Sequence, residues 1–450
     1  MTNHPFRPSR ILGAAALVLA LLGAQPAANA TTIERVVSPG GIEAWLVHDS
    51  AVPLIAMDFA FQGGGDQDPD SKPGVGYMTT ALLDDGAGEL DAKAFQQKLE
   101  EYAIEMRFST GRSHVLGSVR MLKEWQAQGF DLLRLAVTAP RFDADAVERA
   151  RAQVLAGLRR ETTSPNDIAT RMWWKTAFPN HPYGRPTNGT LESVPQITAE
   201  DLKTYARRVF ARNTLKVAVV GDIDAATLGK VLDQVFGGLP EKAELNPVSA
   251  VKMQAAGRRI VVDLDVPQAV LTFGGAGLAR KDPDFMAAYV VNHILGGGSF
   301  TSRLYEEVRE KRGLAYGVYS YLLPLDHTAL VMAGTATSGD QAGETLSIIE
   351  KETRRLAEEG PTAAELAKAK AYLKGSYALR FDTSSKIAGQ LLQIQLDDLG
   401  IDYINQRNKQ IDAVTLADAK RVAKRLFEGE FLVTVVGRPK GLSSKEAGTH

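Results

Sequence analysis

The sequence predicts an α+β protein of two homologous lobes, each a mixed, mostly antiparallel sheet with helices packed on one face. Three observations support this fold class. Strand-like and helix-like segments are interleaved without strict β-α-β alternation, which favours a mixed sheet. The 450 residues are too many for one compact core. The second half of the chain repeats the order of segments in the first half.

In the first half, local patterns predict each element. Ile33 to Val47 alternates weakly and predicts an edge hairpin, and Leu54 to Phe61 predicts a strand. Pro73-Gly74 ends a glycine-rich polar loop and predicts a helix that runs through Leu83. The other predicted elements are a helix from Phe95 to Tyr102, two strands within Glu105 to Met121, helices from Glu124 to Val137 and from Asp143 to Arg160, and a buried strand from Leu215 to Val220.

Four matched pairs of segments define the internal repeat, at an offset of roughly 214–218 residues. The pairs are Val52-Pro53 with Val266-Pro267, the helix around Glu148 to Leu158 with Ala364 to Tyr377, Ile197-Thr198 with Val414-Thr415, and Val217 to Gly221 with Val433 to Gly437. The predicted organisation is a signal peptide at residues 1–30, a first lobe at 31–240, a linker at 241–255, a second lobe at 256–440 and a disordered polar tail at 441–450. Trp173-Trp174 is predicted to anchor the core of the first lobe, with a role at an interface as the alternative.

The N-terminus has the pattern of a secretory signal. Arg7 and Arg10 form a basic region, Ile11 to Ala24 is an apolar run shorter than an ordinary transmembrane helix, and Ala28-Asn29-Ala30 matches a cleavage site. A retained membrane anchor is the alternative. The chain has no cysteine, which excludes disulfides, thiolate metal sites and a lipid-modified cysteine. We therefore expect a soluble mature protein that starts at Thr31 and resides in the periplasm.

Composition and motifs exclude several function classes. The net charge of -1 gives no electrostatic reason to bind nucleic acid or an anionic membrane. The sequence contains no G-x-S-x-G elbow and no cysteine nucleophile, and its glycine-rich loops match neither a Walker nor a dinucleotide-binding loop.

The most distinctive stretch runs from Gly296 to Leu322. Its three initial glycines, Gly296 to Gly298, predict a turn with positive φ and close backbone approach. A helix is predicted to follow, with Ser299 or Thr301 as its N-cap and Gly313 as its stop signal.

A predicted strand from Ala315 to Leu322 completes this stretch. Arg309 then lies near the end of the helix and Tyr316 at the start of the strand, so both side chains could point into one space. An ordinary surface helix followed by a half-buried strand tyrosine is the alternative interpretation.

The segment SRLYEEVREKRGLAYGVYSY resembles the C-terminal-half signature of the pitrilysin, insulin-degrading enzyme and mitochondrial processing peptidase family. The resemblance covers nearly the whole mature chain, including FPNHPYG at Phe178 to Gly184 and VVGDID at Val219 to Asp224. It implies paired lobes that enclose a chamber. It also implies that Arg309 and Tyr316 hold the substrate backbone over a zinc centre in the other half of the enzyme.

The zinc motif of this family is missing. In the family, a helix after a Pro-Gly loop carries H-x-x-E-H, in which two His bind zinc and the Glu is the general base. By position, Tyr77 and Ala81 replace the His residues, Thr80 replaces the Glu, and Gly157 replaces the third ligand, a Glu. Alanine and glycine have no ligand atom, threonine is no base near neutral pH, and a protonated phenol is a poor zinc ligand. We therefore expect no cofactor in this chain.

The histidines do not offer a replacement site, because none of them are three or four residues apart. They are His4, His48, His114, His181, His293, His327 and His450. His181 is predicted to form hydrogen bonds within a loop, and His293 to be a packed helix residue.

The resemblance implies a non-catalytic subunit of a heterodimeric periplasmic zinc metallopeptidase. Arg309 and Tyr316 would serve a homologous partner subunit that carries H-x-x-E-H and the zinc, with a peptide as substrate. The chain alone would have no activity. The alternatives are a catalysis-free peptide-binding or scaffold protein of the same fold and, third, a hydrolase with unrecognised chemistry.

Overall fold

The structure is a computed structural model that describes residues 32–445, so the predicted signal peptide and residues 446–450 lie outside it. The elements of the first lobe are, in chain order, β1 (Glu34–Val37), β2 (Glu43–His48), β3 (Leu54–Gln62), α1 (Val75–Thr80), α2 (Ala92–Glu101), β4 (Glu105–Thr110), β5 (His114–Leu122), α3 (Gln126–Thr138), α4 (Ala144–Glu161), α5 (Pro165–Ala177), α6 (Ala199–Val209), β6 (Lys216–Gly221) and α7 (Ala225–Phe236). The strands form a six-stranded sheet in the order β1-β2-β6-β3-β5-β4. β2 and β6 are parallel, and the other neighbours are antiparallel.

The second lobe repeats this plan with a five-stranded sheet in the order β7-β11-β8-β10-β9. Its elements are β7 (Arg259–Val262), β8 (Gln268–Ala276), α8 (Phe285–Asn292), α9 (Arg303–Tyr305), β9 (Ala315–Pro324), β10 (Ala329–Ser338), α10 (Ala342–Glu359), α11 (Ala363–Gly375), α12 (Ser384–Leu396), α13 (Tyr403–Ala413), α14 (Leu416–Phe427) and β11 (Leu432–Val436). β7 and β11 are the parallel pair. The predicted fold class is therefore confirmed. None of the helices within residues 32–445 has both the length and the apolar character needed to cross a membrane.

Matching residues build the two lobes in the same way. α6 and α14 each begin with a capping box, formed by Thr198 with Asp201 and by Thr415 with Asp418. A glycine with positive φ ends β6 and another directly follows β11, with φ of 139° at Gly221 and 140° at Gly437. Only glycine adopts such a backbone conformation without strain, which explains why the sequence repeats it.

Each lobe also lends one helix to the other, which the prediction of helices on one face did not include. α5 of the first lobe packs on the second sheet, where the buried Trp173 donates from Nε1 to the carbonyl of Leu432 at 3.1 Å. α12 of the second lobe packs on the first sheet, where Gln395 Nε2 donates to the carbonyl of Val217 at 2.9 Å. The prediction that Trp173 anchors the core of its own lobe is therefore wrong, and its alternative, an interface, is observed.

The segments around the second lobe are bonded to the rest of the protein. Within the predicted linker, the backbone N–H groups of Val251 and Gln254 donate to the carbonyls of His327 and Ala177, both at 2.8 Å. The tail was predicted to be disordered from residue 441, yet Lys445 pairs with Arg259 at the start of β7. The described part of the tail is thus held at the edge of the second sheet.

Candidate functional site

The segment before Tyr316 is helical but irregular. α8 continues as a π-helical turn at His293–Gly297, and α9 continues as a second π-helical turn at Glu306–Glu310. Ser302 caps α9, because its side chain accepts a hydrogen bond from the backbone N–H of Tyr305. The predicted N-caps Ser299 and Thr301 are therefore wrong, since a separate short turn precedes the helix. Gly313, with φ of 64°, ends it as predicted.

The initial glycines are required for close approach rather than for positive φ. None of Gly296 to Gly298 is among the positive-φ residues. A Cβ atom on Gly296 would lie 2.5 Å from Ser320 Oγ and 2.7 Å from Ser320 N. Ser320 also donates to Asn292 Oδ1 at 2.8 Å, and Asn292 Nδ2 donates back to the carbonyl of Ser320 at 3.2 Å. These contacts fix the π-helical turn against β9.

Arg309 and Tyr316 are brought together. The guanidinium carbon of Arg309 lies 4.5 Å from the centre of the Tyr316 ring and 5.0 Å from that of Tyr305. Among residues 32–445, Arg309 has no carboxylate partner within ion-pair distance, and Tyr316 is 85% exposed. The pair therefore presents an uncompensated cation and a phenol hydroxyl to whatever binds there.

A bulge in the edge strand β9 gives Tyr316 its exposure. The register of β9 against β10 shifts between Thr335 and Thr337. The two threonine hydroxyls donate to the carbonyls of Gly317 and Leu314 at 2.8 and 2.6 Å, which stabilises the irregular backbone. Bulges re-aim side chains in this way at the edges of sheets.

Arg303, on the same helix, has a different environment. It is 8% exposed and forms a bidentate ion pair with Glu365, from Nε to Oε1 at 2.6 Å and from Nη2 to Oε2 at 2.9 Å. Nη2 also donates to the carbonyl of Gly360 at 3.1 Å. Arg303 therefore anchors the helix to α11, and its Nη1, which has no hydrogen-bond partner, is buried away from any substrate.

The degenerate zinc positions lie on and beside α1. Tyr77 is 39% exposed, whereas Thr80 is 3% exposed and donates to the carbonyl of Gly76 at 3.2 Å and of Tyr77 at 3.0 Å. Its hydroxyl also lies 3.0 Å from that of Thr110 on β4. The helix is shorter than predicted, because it ends at Thr80 and Ala81 is its C-cap. The hydroxyl of Thr80 is thus used in structure and cannot act as a base.

Asp68 fixes the start of this helix. Its carboxylate accepts from the backbone N–H of Gly74 at 2.7 Å and of Gly76 at 2.8 Å. Burial raises the pKa of Asp68 to about 7, although these two donors act to lower it. Asp68 therefore satisfies the N–H groups that a short helix leaves unpaired.

The residues at these positions do not fit zinc. A Cβ atom on Gly157, in α4, would meet only the guanidinium of Arg160 at 3.8 Å, so space for a longer side chain is present but no ligand atom is. Within residues 32–445, no three His, Cys, Asp or Glu side chains are close enough together to hold a metal ion. His181 instead accepts from the backbone N–H of Tyr183 at 3.1 Å, and the buried His293 stacks on Tyr372.

Sequence reasoning missed the aromatic surface around the site. The guanidinium of Arg309 lies over the ring of Tyr305 as well as over that of Tyr316. Tyr319 and Tyr321 are 56% and 43% exposed, and their rings stack 6.2 Å apart along β9. The alternation Tyr-x-Tyr was the available signal, because residues two apart in a strand lie on one face.

Comparisons with known proteins give consistent results. Residues 46–191 match the family described as insulinase (peptidase family M16), and residues 196–373 match the peptidase M16 inactive domain. A relative named non-peptidase homolog YmxG, from Helicobacter pylori, is 31% identical over 74% of this chain and 77% of its own length. An uncharacterized zinc protease of Streptomyces coelicolor is 27% identical over 90% of both chains. The crystal structure of a peptidase M16 inactive domain from Pseudomonas fluorescens superposes with a TM-score of 0.85, at 27% identity, over 93% of this chain and 100% of that one.

Proposed function

The chain belongs to the M16 peptidase family and lacks that family's zinc-binding motif, and from this premise we propose that it is the non-catalytic subunit of a heterodimeric zinc metallopeptidase. One observation carries the proposal: Arg309 and Tyr316 form an exposed pair without a counter-ion, in a chain whose residues 32–445 include no group of His, Cys, Asp or Glu side chains that could hold a metal ion. A homologous partner with H-x-x-E-H would supply the metal and the activated water.

The chemistry of the pair suits the role of substrate positioning. Hydrolysis of a peptide bond develops negative charge on the scissile carbonyl oxygen. A guanidinium and a phenol hydroxyl can donate to substrate carbonyls and stabilise that charge in a chamber that excludes bulk water. The stacked rings of Tyr305 and Tyr316 restrict the guanidinium of Arg309, so little ordering is required when substrate binds.

Export to the periplasm is part of the proposal. Its support is the signal-like pattern of residues 1–30 and the absence of cysteine from the sequence. The intact mass of the protein isolated from its native cell should correspond to a chain that starts at Thr31. A native chain that retains residues 1–30 would exclude processing at Ala30.

Reconstitution with the zinc-bearing partner tests the function. Tyr316→Phe deletes only a hydroxyl, and Arg309→Lys replaces the planar fork by a point charge. Each should lower turnover by about 10²–10³, as the loss of one such donor does, while complex formation on gel filtration stays unchanged. Arg312→Lys is the matched control, because Arg312 is exposed on the same segment and is engaged by Glu307.

The result distinguishes the proposal from its alternative. If both variants keep wild-type turnover in a complex that still forms, the composite site is wrong. A scaffold or peptide-binding protein of the same fold is then the better explanation.

A further inference from the structure

A cavity of about 390 Å³ opens at the end of β9 away from Arg309 and Tyr316. Tyr321 and Pro324 of β9 form one side of it, and residues of α8, α12 and α13 form the others. Tyr321 lies five residues beyond Tyr316, which is roughly 17 Å along an extended strand. Because β9 is the edge of its sheet, an extended peptide that passes Tyr316 can reach this cavity.

The lining of the cavity carries an excess of positive charge. Arg280, Arg380 and Arg407 line it, whereas Asp397 is the one carboxylate among the described lining residues, which leaves two guanidinium groups in excess. Asp397 lies 3.3 Å from Arg280 and is thereby engaged. Arg380 is exposed at the rim.

Arg407 is the unusual member of this group. It is 4% exposed, and its Nη1 donates to the carbonyl of Leu373 at 3.1 Å and to Asn408 Oδ1 at 3.2 Å. Nη2 donates to the hydroxyl of Tyr289 at 3.5 Å. Within residues 32–445, Arg407 forms no ion pair with an Asp or Glu, and its Nε–H has no acceptor.

A buried cation without a counter-ion is costly, so such groups are normally paired. The ring of Tyr377 lies 4.0 Å from the guanidinium and offsets part of this cost. The three neutral acceptors offset more of it, but no carboxylate within residues 32–445 pairs with Arg407. An anionic ligand in the cavity would supply the counter-ion, with two neighbouring tyrosines, Tyr289 and Tyr403, as walls.

We propose that this cavity binds a carboxylate group of a peptide that lies along β9, with Arg407 and Arg380 as its partners. The planar guanidinium fork matches the geometry of a carboxylate and favours it over an amide. The group is either the peptide's C-terminal carboxylate or an Asp or Glu side chain, since both present the same chemistry. The proposal rests on the proposed function only in that a peptide substrate contacts Arg309 and Tyr316; its path along β9 is part of the present proposal.

Peptide binding to the purified full chain tests the site. The probes are fluorescently labelled peptides of one sequence in three forms: one with a free C-terminus and an internal Glu, one with an amidated C-terminus, and one with Glu replaced by Gln. Anisotropy at neutral pH should show that one of the two neutralised peptides binds about tenfold more weakly than the parent, the loss expected for a charge-assisted pair. Weaker binding of the amidated peptide would identify the C-terminal carboxylate as the bound group, and weaker binding of the Gln peptide would identify the Glu side chain.

Two variants test whether Arg380 and Arg407 cause this difference in peptide affinity. Arg380→Gln changes an exposed side chain and should fold normally, and Arg407→Met keeps most of the buried volume of its site. Each should reduce the affinity ratio between the parent and the neutralised peptide towards one. Arg354→Gln, an exposed arginine on α10 outside the cavity, is the matched control and should leave the ratio unchanged.

Equal affinities of all three peptides, no measurable binding, or an unchanged ratio in both cavity variants would overturn the proposal. Failure here is separable from failure of the proposed function. The carboxylate site is tested by the ratio of peptide affinities of the isolated chain. The proposed function is tested by the turnover of the reconstituted pair after Tyr316→Phe.

Discussion

Single residues decide whether this chain can bind zinc, and the three degenerate ligand positions differ from the degenerate general-base position in the space around them. Gly157 has open space around its Cα, and Ala81 and Tyr77 are accessible at the end of α1. Thr80 is buried and bonded to two backbone carbonyls. Restoring the three ligands is therefore sterically possible, whereas restoring the general base at Thr80 is disruptive.

We expect the wild-type chain to retain no stoichiometric zinc after mild chelation. The variant with Tyr77→His, Thr80→Glu, Ala81→His and Gly157→Glu should regain zinc binding but little peptidase activity, because the groups that orient the ligands are absent. Elemental analysis of both proteins measures the metal. About one zinc per wild-type chain would contradict the prediction.

A second prediction concerns Asp58, which lies in the middle of β3 beneath α12. A Cβ atom on Gly389 of that helix would lie 3.3 Å from Asp58 Oδ2. Burial raises the pKa of Asp58 from 3.8 to about 6. The native state therefore binds a proton more readily than the unfolded chain between about pH 4 and pH 6, and its stability falls as the pH rises through that window.

Asp58→Asn should accordingly be more stable than the wild type at pH 7, by about 1–3 kcal/mol. The difference should shrink as the pH is lowered through about 4 and vanish near about pH 3 and below, where the wild-type carboxyl is protonated in both states. Urea unfolding at several pH values measures it. A gain of equal size at pH 4 and pH 7 would show that ionisation is not the cause.

At the scale of single residues, the sequence predicted those contacts that depend on local spacing along the chain. Arg309 and Tyr316 were found because a short turn between a helix and a strand brings such residues together. The cavity around Arg407 could not be predicted, because it requires α8, α12, α13 and the end of β9 to meet in space. The burial of Asp58 likewise depends on a helix from the other lobe.

Among the elements, the π-helical turn His293–Gly297 shows how local pattern and tertiary contact compete. The glycine run predicted a turn, but the backbone stays helical and passes close to β9 instead. Hydrogen bonds between Asn292 and Ser320 hold this approach. The glycines thus predicted the close backbone approach correctly, but not the helical backbone, which depends on a strand more than twenty residues away along the chain.

Gly296→Ala should therefore destabilise the protein by about 1–3 kcal/mol, the usual cost of overpacking. The added Cβ would lie within 2.5 Å of Ser320 Oγ, so β9 must move. Turnover of the reconstituted pair should fall as well, because β9 positions Tyr316. Gly317→Ala is the control, since a Cβ there meets nothing within 4 Å. Chemical denaturation that gives equal midpoints for the two variants would contradict the packing argument.

In the whole molecule, the two lobes are joined by an exchange of helices that the internal repeat did not reveal. The repeat correctly predicted two copies of one fold, because matched caps and strand ends recur at a constant offset. It gave no sign that α5 and α12 cross over, since a helix has the same amphipathic pattern whichever sheet it covers. Trp173 and Gln395 play similar parts, because each donates from its helix to a backbone carbonyl of the other lobe's sheet, at Leu432 in β11 and at Val217 in β6.

This exchange makes a residue of the first lobe stabilise the second. Trp173 is fully buried, its ring occupies the space beside Gly274 of β8, and its Nε1 donates to the carbonyl of Leu432 in β11. Trp173→Ala should cost about 3–5 kcal/mol, as other truncations of buried tryptophan do. It should also reduce the protection from hydrogen exchange of β8 and β11 more than that of β4 and β5, because the cavity opens against the second sheet.

Trp125→Ala is the matched control for that measurement. Trp125 is only partly buried, and its ring centre lies 4.9 Å from that of Tyr102, at a tilt of 39°, within its own lobe. Its removal should cost less and should leave the exchange of β8 and β11 unchanged. If Trp173→Ala instead weakened protection in the first sheet alone, α5 would stabilise its own lobe and the two lobes would not depend on each other through this helix. Weaker protection of β8 and β11 would mean that the first lobe, through α5, stabilises the second sheet. Because Tyr316 lies on that sheet, the first lobe would then have a structural role even without zinc ligands.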